Sequence, residues 1–270
     1  MSNRSIKITS LIIYILTILI FVNVSSLSCT VFLVSDSINV FAGNNEDYKD
    51  TSTVVKYIPS SKDKFGRILF GFESAFPQGG MNEMGLFFDG LAISKLKVKQ
   101  SINLPDYDGF LAEKALEECS TVEDVITLFK KYNLIWLENA QLMFGDRSGN
   151  SVIIEGDSMI VKTGDFQVAT NFYQSQTPKD SITCERFLTS TEILEDSDTI
   201  SRDLVRLILD KTHLEGKFKT VYSTIYDLKR NLVYVYHLHD FENEVVIDLK
   251  NDLGTKIRTV KINSLFHNGN

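Results

Sequence analysis

Several protein classes are excluded by what the chain has little of. Three cysteines in 270 residues cannot all pair with one another and are too few for a disulfide scaffold. At least one thiol is therefore free or bridges between chains. Four prolines and 15 glycines argue against a collagen-like, low-complexity or disordered chain. Basic residues are outnumbered, 28 Lys and Arg against 35 Asp and Glu, for a net charge of −7. Phosphate neutralisation needs a basic surface, so no nucleic-acid partner is expected. Common catalytic signatures are also missing: there is no Gly-x-Ser-x-Gly elbow, no His-Glu-x-x-His, no phosphate-binding glycine loop and no Cys-x-x-Cys pair. What is present, 43% apolar, 23% charged and 11% aromatic residues, describes an ordinary folded protein.

Residues 1–28 read as an export signal. Arg4 and Lys7 supply a positive start, Ile8 to Val24 is mostly apolar, and Ser25-Ser26-Leu27-Ser28 gives small residues before a cut at Cys29. A retained membrane anchor is the alternative, because the apolar stretch approaches the lower limit for spanning a bilayer. The small-residue tail favours cleavage, and no second stretch of this kind follows. The expected product is exported, secreted or periplasmic, with no stable membrane span. Residues 29–270 then form a single domain.

Cys29 admits three readings. It follows the cut by chance; it is a lipid-modified anchor, although Ser26 stands where that processing wants an aliphatic residue; or cleavage makes it an N-terminal nucleophile whose own α-amino group is the base.

Downstream, 29–34 and 40–43 read as two strands of a hairpin, with further strands at 67–72 and 86–91. A Gly79-Gly80 loop precedes the latter. Leu111, Ala115, Leu116 and Cys119 share a helical face, and Ser120-Thr121-Val122-Glu123 has the capping-box pattern before a second helix. A hairpin over 142–155, strands at 160–162 and 166–170, helices at 183–195 and 201–212 and strands at 221–228, 232–238 and 245–249 complete the chain. Leu204, Leu207 and Ile208 are the expected buried stripe of the last helix. This order lacks the strict alternation of a doubly wound fold and predicts antiparallel sheets with helices grouped outside them.

Three groups of residues could carry chemistry. His237 and His239 alternate on a strand and could bind metal, but spacing offers no third ligand, so neither metal nor cofactor is expected. Gly156-Asp157-Ser158 with Asp210-Lys211-Thr212-His213 superficially resembles a GDS-type esterase, but its serine block falls too late in the chain. The polar stretch Gly43-Asn44-Asn45-Glu46-Asp47 returns beside Cys29 if the first hairpin closes, which could bring Asp47 against the Cys29 thiol or amine. Its alternative is a solvated turn.

Cys29-Thr30, Gly43-Asn44-Asn45-Glu46-Asp47, Asn82-Glu83-Met84-Gly85-Leu86, Thr170-Asn171 and Cys184-Glu185-Arg186-Phe187, in this order, resemble the choloylglycine hydrolase superfamily of linear amide C–N hydrolases. Its members include bile salt hydrolases, penicillin V acylases and related acyltransferases. The resemblance implies an α+β fold, an αββα four-layer sandwich of two antiparallel sheets flanked by helices. It implies catalytic roles for five residues: Cys29 as nucleophile and base, Asp47 to orient it, Asn82 and Asn171 toward the oxyanion, and Arg186 in the same pocket. Asn44 and Asn45 are expected to contact substrate. The alternatives are a capped turn for Asn82, a strand-end turn for Asn171 and a surface position for Arg186; Cys119 and Cys184 are read as packing residues. Bile salt hydrolases carry Gly-Arg-Asn where this chain has Gly43-Asn44-Asn45, which argues against bile salts and penicillin V as substrates.

These residue types suit amide hydrolysis. An α-amino group has a reference pKa of about 7.7–8.0 and a thiol of about 8.5, so one residue can supply both base and nucleophile near neutral pH. Attack would give a thioester that water then releases. The expected partner is a small N-acyl amide; acyl transfer to another acceptor, a non-catalytic lipid-anchored binding protein and a homo-oligomer are left open.

Overall fold

The computed structural model describes residues 28–73 and 75–266. The expected signal peptide, apart from Ser28, lies outside the described residues. Among the described residues, no helix is long and apolar enough to cross a membrane.

Alternating apolar positions on two strands create the first element pair. β1 (Thr30–Ser35) and β2 (Val40–Tyr48) run antiparallel with Thr30 opposite Asn45 and Val31 opposite Asn44. Val31, Leu33, Val40 and Ala42 point into one core, while Phe32, Val34 and Phe41 point into another. Two apolar faces need two covering layers, which places this hairpin inside the molecule. Its sheet has the order β10-β1-β2-β11-β12-β13, with β10 (Phe166–Ala169), β11 (Lys219–Asp227), β12 (Leu232–His237) and β13 (Val245–Asp248).

A second, eight-stranded sheet has the order β14-β3-β4-β5-β6-β7-β8-β9. Its strands are β3 (Thr53–Ile58), β4 (Arg67–Phe72), β5 (Gly79–Asn82), β6 (Phe87–Ala92), β7 (Ala140–Gly145), β8 (Ser151–Glu155), β9 (Ser158–Val161) and β14 (Arg258–Lys261). Every strand pairing in both sheets is antiparallel. The sheets face each other across a core that includes Val31, Leu33, Ile68, Phe70, Met81, Phe87 and Tyr226. The helices α1 (Leu111–Glu118) and α2 (Val122–Phe129) cover the outer face of the larger sheet. On the other side, α3 (Glu185–Glu195) and α4 (Arg202–Thr212) cover the smaller one. The result is the four-layer α+β sandwich that the family resemblance implied, with the antiparallel sheets and outer helices that the element order predicted.

Three local expectations are corrected. The capping box is shifted by one residue: Thr121 accepts from the Asp124 amide at 3.1 Å while the Asp124 carboxylate accepts from the Thr121 amide at 3.0 Å. The buried stripe of α4 is Val205, Ile208, Leu209 and Thr212, leaving Leu207 44% exposed, because the helix meets the sheet about a quarter-turn from the expected face. Gly79-Gly80 is part of strand β5 rather than a loop. At Gly79, a Cβ would fall 2.2 Å from the Asp89 carboxylate, so close packing between strands requires glycine there.

Thr121→Ala removes one half of the capping box. It is expected to lower stability by about 1 kcal/mol in urea unfolding without changing the denaturant slope.

Candidate active site

The hairpin register decides which side chains surround Cys29. Because Thr30 pairs with Asn45, Glu46 stands across from Cys29 and Asp47 lies one residue beyond. Residues 43–47 are a buried strand, not a solvated turn: Asn44, Asn45, Glu46 and Asp47 are each 3% exposed or less. Strand alternation sends Asn44 and Glu46 to the face between the sheets and Asn45 and Asp47 to the helix side.

A β-bulge in β11 sets the next layer. Thr220 pairs with Asp47 and Tyr222 with Glu46, so the register shifts between them. The bulge turns Thr220 toward the helix side, where its hydroxyl donates to Asp47 Oδ1, and keeps Tyr222 on the inner face beside Glu46. Asp47 Oδ2 has no partner among the described residues. Burial drives the Asp47 pKa up to about 7, opposed by the Thr220 hydroxyl and by the charges of Arg186 and His213.

Arg186, in the first turn of α3, grips the chain on both sides of Cys29. Its Nη1 donates to the carbonyls of Ser28 at 2.6 Å and Cys29 at 2.5 Å, and to Thr30 Oγ1 at 2.9 Å. Its Nη2 donates to Asn171 Oδ1 at 3.3 Å, and Asn171 Nδ2 donates to the Ala92 carbonyl at 2.6 Å. Gln141 donates to the Thr170 and Phe172 carbonyls and so braces the turn that carries Asn171. Cys29, Asp47, Asn171 and Arg186 therefore converge, as do Glu46, Thr220 and Gln141, which the sequence reading did not single out.

Two expected site residues are placed elsewhere. The Asn82 side chain donates to the Leu116 and Cys119 carbonyls, both at 2.9 Å, and accepts from the Met84 and Leu86 amides. It locks the end of α1 to the β5–β6 turn on the outer face of its sheet, so its amide is not available to an oxyanion beside Cys29. Asn45 donates to the Leu209 carbonyl at 2.9 Å and Thr212 Oγ1 at 3.2 Å, and accepts from Ser223. It fastens β2 to α4 and faces away from any substrate between the sheets. Asn44 does reach the inter-sheet face, where Nδ2 donates to Asp89 Oδ1 at 2.7 Å.

The other two groups are also resolved by the fold. Ser158 opens β9 at the edge of the eight-stranded sheet, whereas His213 follows α4 on the far side of the other sheet, so the esterase block is not assembled. His239 is joined by His213 and Glu215 rather than by His237, with potential ligand atoms within 4.8 Å of one another. The two imidazoles stack at 5.0 Å. Cys119 is buried at the end of α1, and Cys184 precedes α3 and accepts from Thr170 Oγ1 at 3.3 Å.

A family model for linear amide C–N hydrolases, choloylglycine hydrolase family, matches residues 43–177. This chain belongs to that family. It is a hydrolase of carbon–nitrogen bonds other than peptide bonds, in linear amides. No curated protein matches the chain. Among solved structures, penicillin V acylase from Agrobacterium tumefaciens is similar at 18% identity and a TM-score of 0.62, over 86% of this chain and 91% of its own. Two variants of conjugated bile acid hydrolase from Clostridium perfringens are similar at 20% and 21% identity, with TM-scores of 0.63 and 0.59. Each covers 86% of this chain, over 97% and 96% of its own length. At these identities the likeness shows the shared fold. The matched segment of this hydrolase includes Asn44, Asp47, Asn82 and Asn171 and leaves Cys29 and Arg186 outside it.

Two predictions follow from this arrangement. Asn82→Ala strands two helix carbonyls and two turn amides; it is expected to lower stability by about 2–4 kcal/mol while turnover per folded molecule stays within about threefold. Urea titration and active-site-normalised rates check this. Glu46 and Asp47, raised to about 8 and about 7, bind more protons folded than unfolded, where their pKa values are about 4.3 and 3.9. Their contribution to stability is complete below about pH 4 and is lost as pH rises toward 8, so the urea midpoint of the uncleaved chain should fall across that window.

Proposed function

We propose that the protein is exported, that cleavage between Ser28 and Cys29 frees the Cys29 α-amine, and that the processed chain hydrolyses a small N-acyl amide through a thioester on Cys29. The observation that carries this reading is the convergence of Asp47, Asn171 and Arg186 on the Ser28–Cys29 linkage of a linear amide hydrolase. In the uncleaved chain the Cys29 nitrogen is an amide and cannot accept a proton. Burial and the charges of Glu46 and Asp47 push the Cys29 thiol well above its usual range, so Sγ needs a base close by to lose its proton. A free α-amine on the same residue supplies that base.

These contacts support the following order of events. The α-amine takes the thiol proton as Sγ attacks the substrate carbonyl, and returns it to the departing nitrogen. Water, deprotonated by the same amine, then releases the acid. The Arg186 donor that holds the Ser28 carbonyl becomes available once Ser28 leaves, at the position where a substrate carbonyl would lie beside Sγ. Together with the Asn171 amide, it supports charge developing on that oxygen. Asp47, anchored by Thr220, holds the α-ammonium and the chain end in register.

Cys29→Ala is expected to reduce hydrolysis of chromogenic N-acyl amides to background while circular dichroism stays near wild type. Asp47→Asn should lower kcat by about 10²-fold. Full activity of the Cys29 variant would overturn the nucleophile assignment.

A further inference from the structure

Glu46 is a buried acid beside the nucleophile to which the reaction above gives no part. It is 3% exposed, and Oε2 has no hydrogen-bond partner among the described residues. Pairing on both sides of β2 puts Cys29, Glu46 and Tyr222 in one row across three adjacent strands, all on the face between the sheets. Side chains opposite one another in such a row sit about 5 Å apart at Cβ, within reach of a glutamate. The Cys29 thiol acts on the Glu46 carboxyl across this row, and opposes the rise in its pKa.

Among the described residues, the groups that act on Glu46 carry no positive charge. Cys29 faces it from β1, Tyr222 and Tyr226 from β11, Asp89 from β6 of the opposite sheet, and Asp47 adjoins it on its own strand. Asp89 is fully buried, bound through Oδ1 to Asn44, with Oδ2 against Gly79 and without a hydrogen-bond partner. Arg186 and His213 act on Asp47 from the helix side. Burial and Asp47 push Glu46 up to about 8, so it holds its proton at neutral pH.

We propose that Glu46 positions the Cys29 sulfur as a neutral hydrogen-bond donor, its carboxyl proton directed at Sγ. The inference rests on Cys29 being the nucleophile. As the α-amine removes the thiol proton, Sγ gains negative charge and accepts the hydrogen bond from Glu46; the carboxyl proton stays on Glu46 throughout. An ionised Glu46 would instead place a second negative charge against the sulfur. Activity therefore requires the amine deprotonated and Glu46 protonated, which gives kcat/KM an alkaline limb that the amine alone does not produce.

The test is the pH profile of kcat/KM for the processed enzyme, its Glu46→Gln and Glu46→Ala variants, and Cys29→Ala as control. Glutamine keeps a neutral N–H donor and cannot ionise. Expected is an alkaline fall in the wild type, its disappearance in Glu46→Gln, and a kcat/KM for Glu46→Ala at least about tenfold below that of Glu46→Gln at pH 7, the weight of one charge-assisted hydrogen bond. Equal loss in both Glu46 variants, or an unchanged alkaline limb in Glu46→Gln, overturns the proposal. Infrared titration of the wild type keeps the question decidable if a variant does not fold. A protonated-carboxyl band that disappears with the midpoint of the activity fall and persists in Asp47→Asn and Asp89→Asn supports the donor role, and absence of that band at pH 7 overturns it. A Cys29→Ala protein that still hydrolyses substrate would defeat the nucleophile reading itself, whereas an inactive one beside an unaltered Glu46→Gln profile defeats only the role of Glu46.

Discussion

The antiparallel pairing of β1 with β2 is the constraint on which the site depends. With Thr30 opposite Asn45, the segment entering the fold is aligned so that Glu46 meets Cys29 on the inner face and Asp47 meets it from the helix side. A slip of one residue would exchange the two faces and send Glu46 toward α4. The register is fixed by the two apolar sets of the hairpin, each buried in a different core. The same packing that stabilises the sandwich therefore aligns the chemistry. Arg186 adds a second fixation by reaching from α3 across the start of β1.

That arrangement is in electrostatic conflict. Glu46, Asp47 and Asp89 lie buried near one thiol, and burial raises all four pKa values. Unpaired buried acids destabilise a fold unless they hold protons or gain partners. Here the partners are unequal: Asp47 has Thr220 and the nearby charges of Arg186 and His213, whereas Glu46, among the described residues, faces acids, phenols and the thiol. Strained protonation of this kind concentrates where chemistry occurs. The positive charge the cluster lacks would arrive with an α-ammonium at Cys29.

Much of the fold was legible because apolar alternation and helical spacing survive in single elements. The strand over 67–72, the hairpin over 142–155 and the helix near 201–212 carry their own patterns, and observed bounds follow them closely. β5 was not legible, since two glycines have low strand propensity and are required there by the approach of Asp89. Residues 43–47 read as a turn because they are polar; tertiary burial on both faces overrides that composition. Period-two alternation through Val40, Ala42, Asn44 and Glu46 was the signal that could have extended the strand and found Glu46. Asn82 lay within a family-like motif, but its part in closing the β5–β6 turn against α1 depends on a helix about 35 residues away in sequence, which no local pattern encodes.

The central claim is that the sulfur of Cys29, on a chain beginning at that residue, carries the acyl group during turnover. The most direct measurement is peptide mass spectrometry of enzyme quenched in acid while hydrolysing an N-acyl amide. The account predicts a peptide starting at Cys29 that bears the acyl mass as a thioester labile to hydroxylamine. An acyl adduct on another residue, or full turnover by a chain still carrying Ser28, would contradict it.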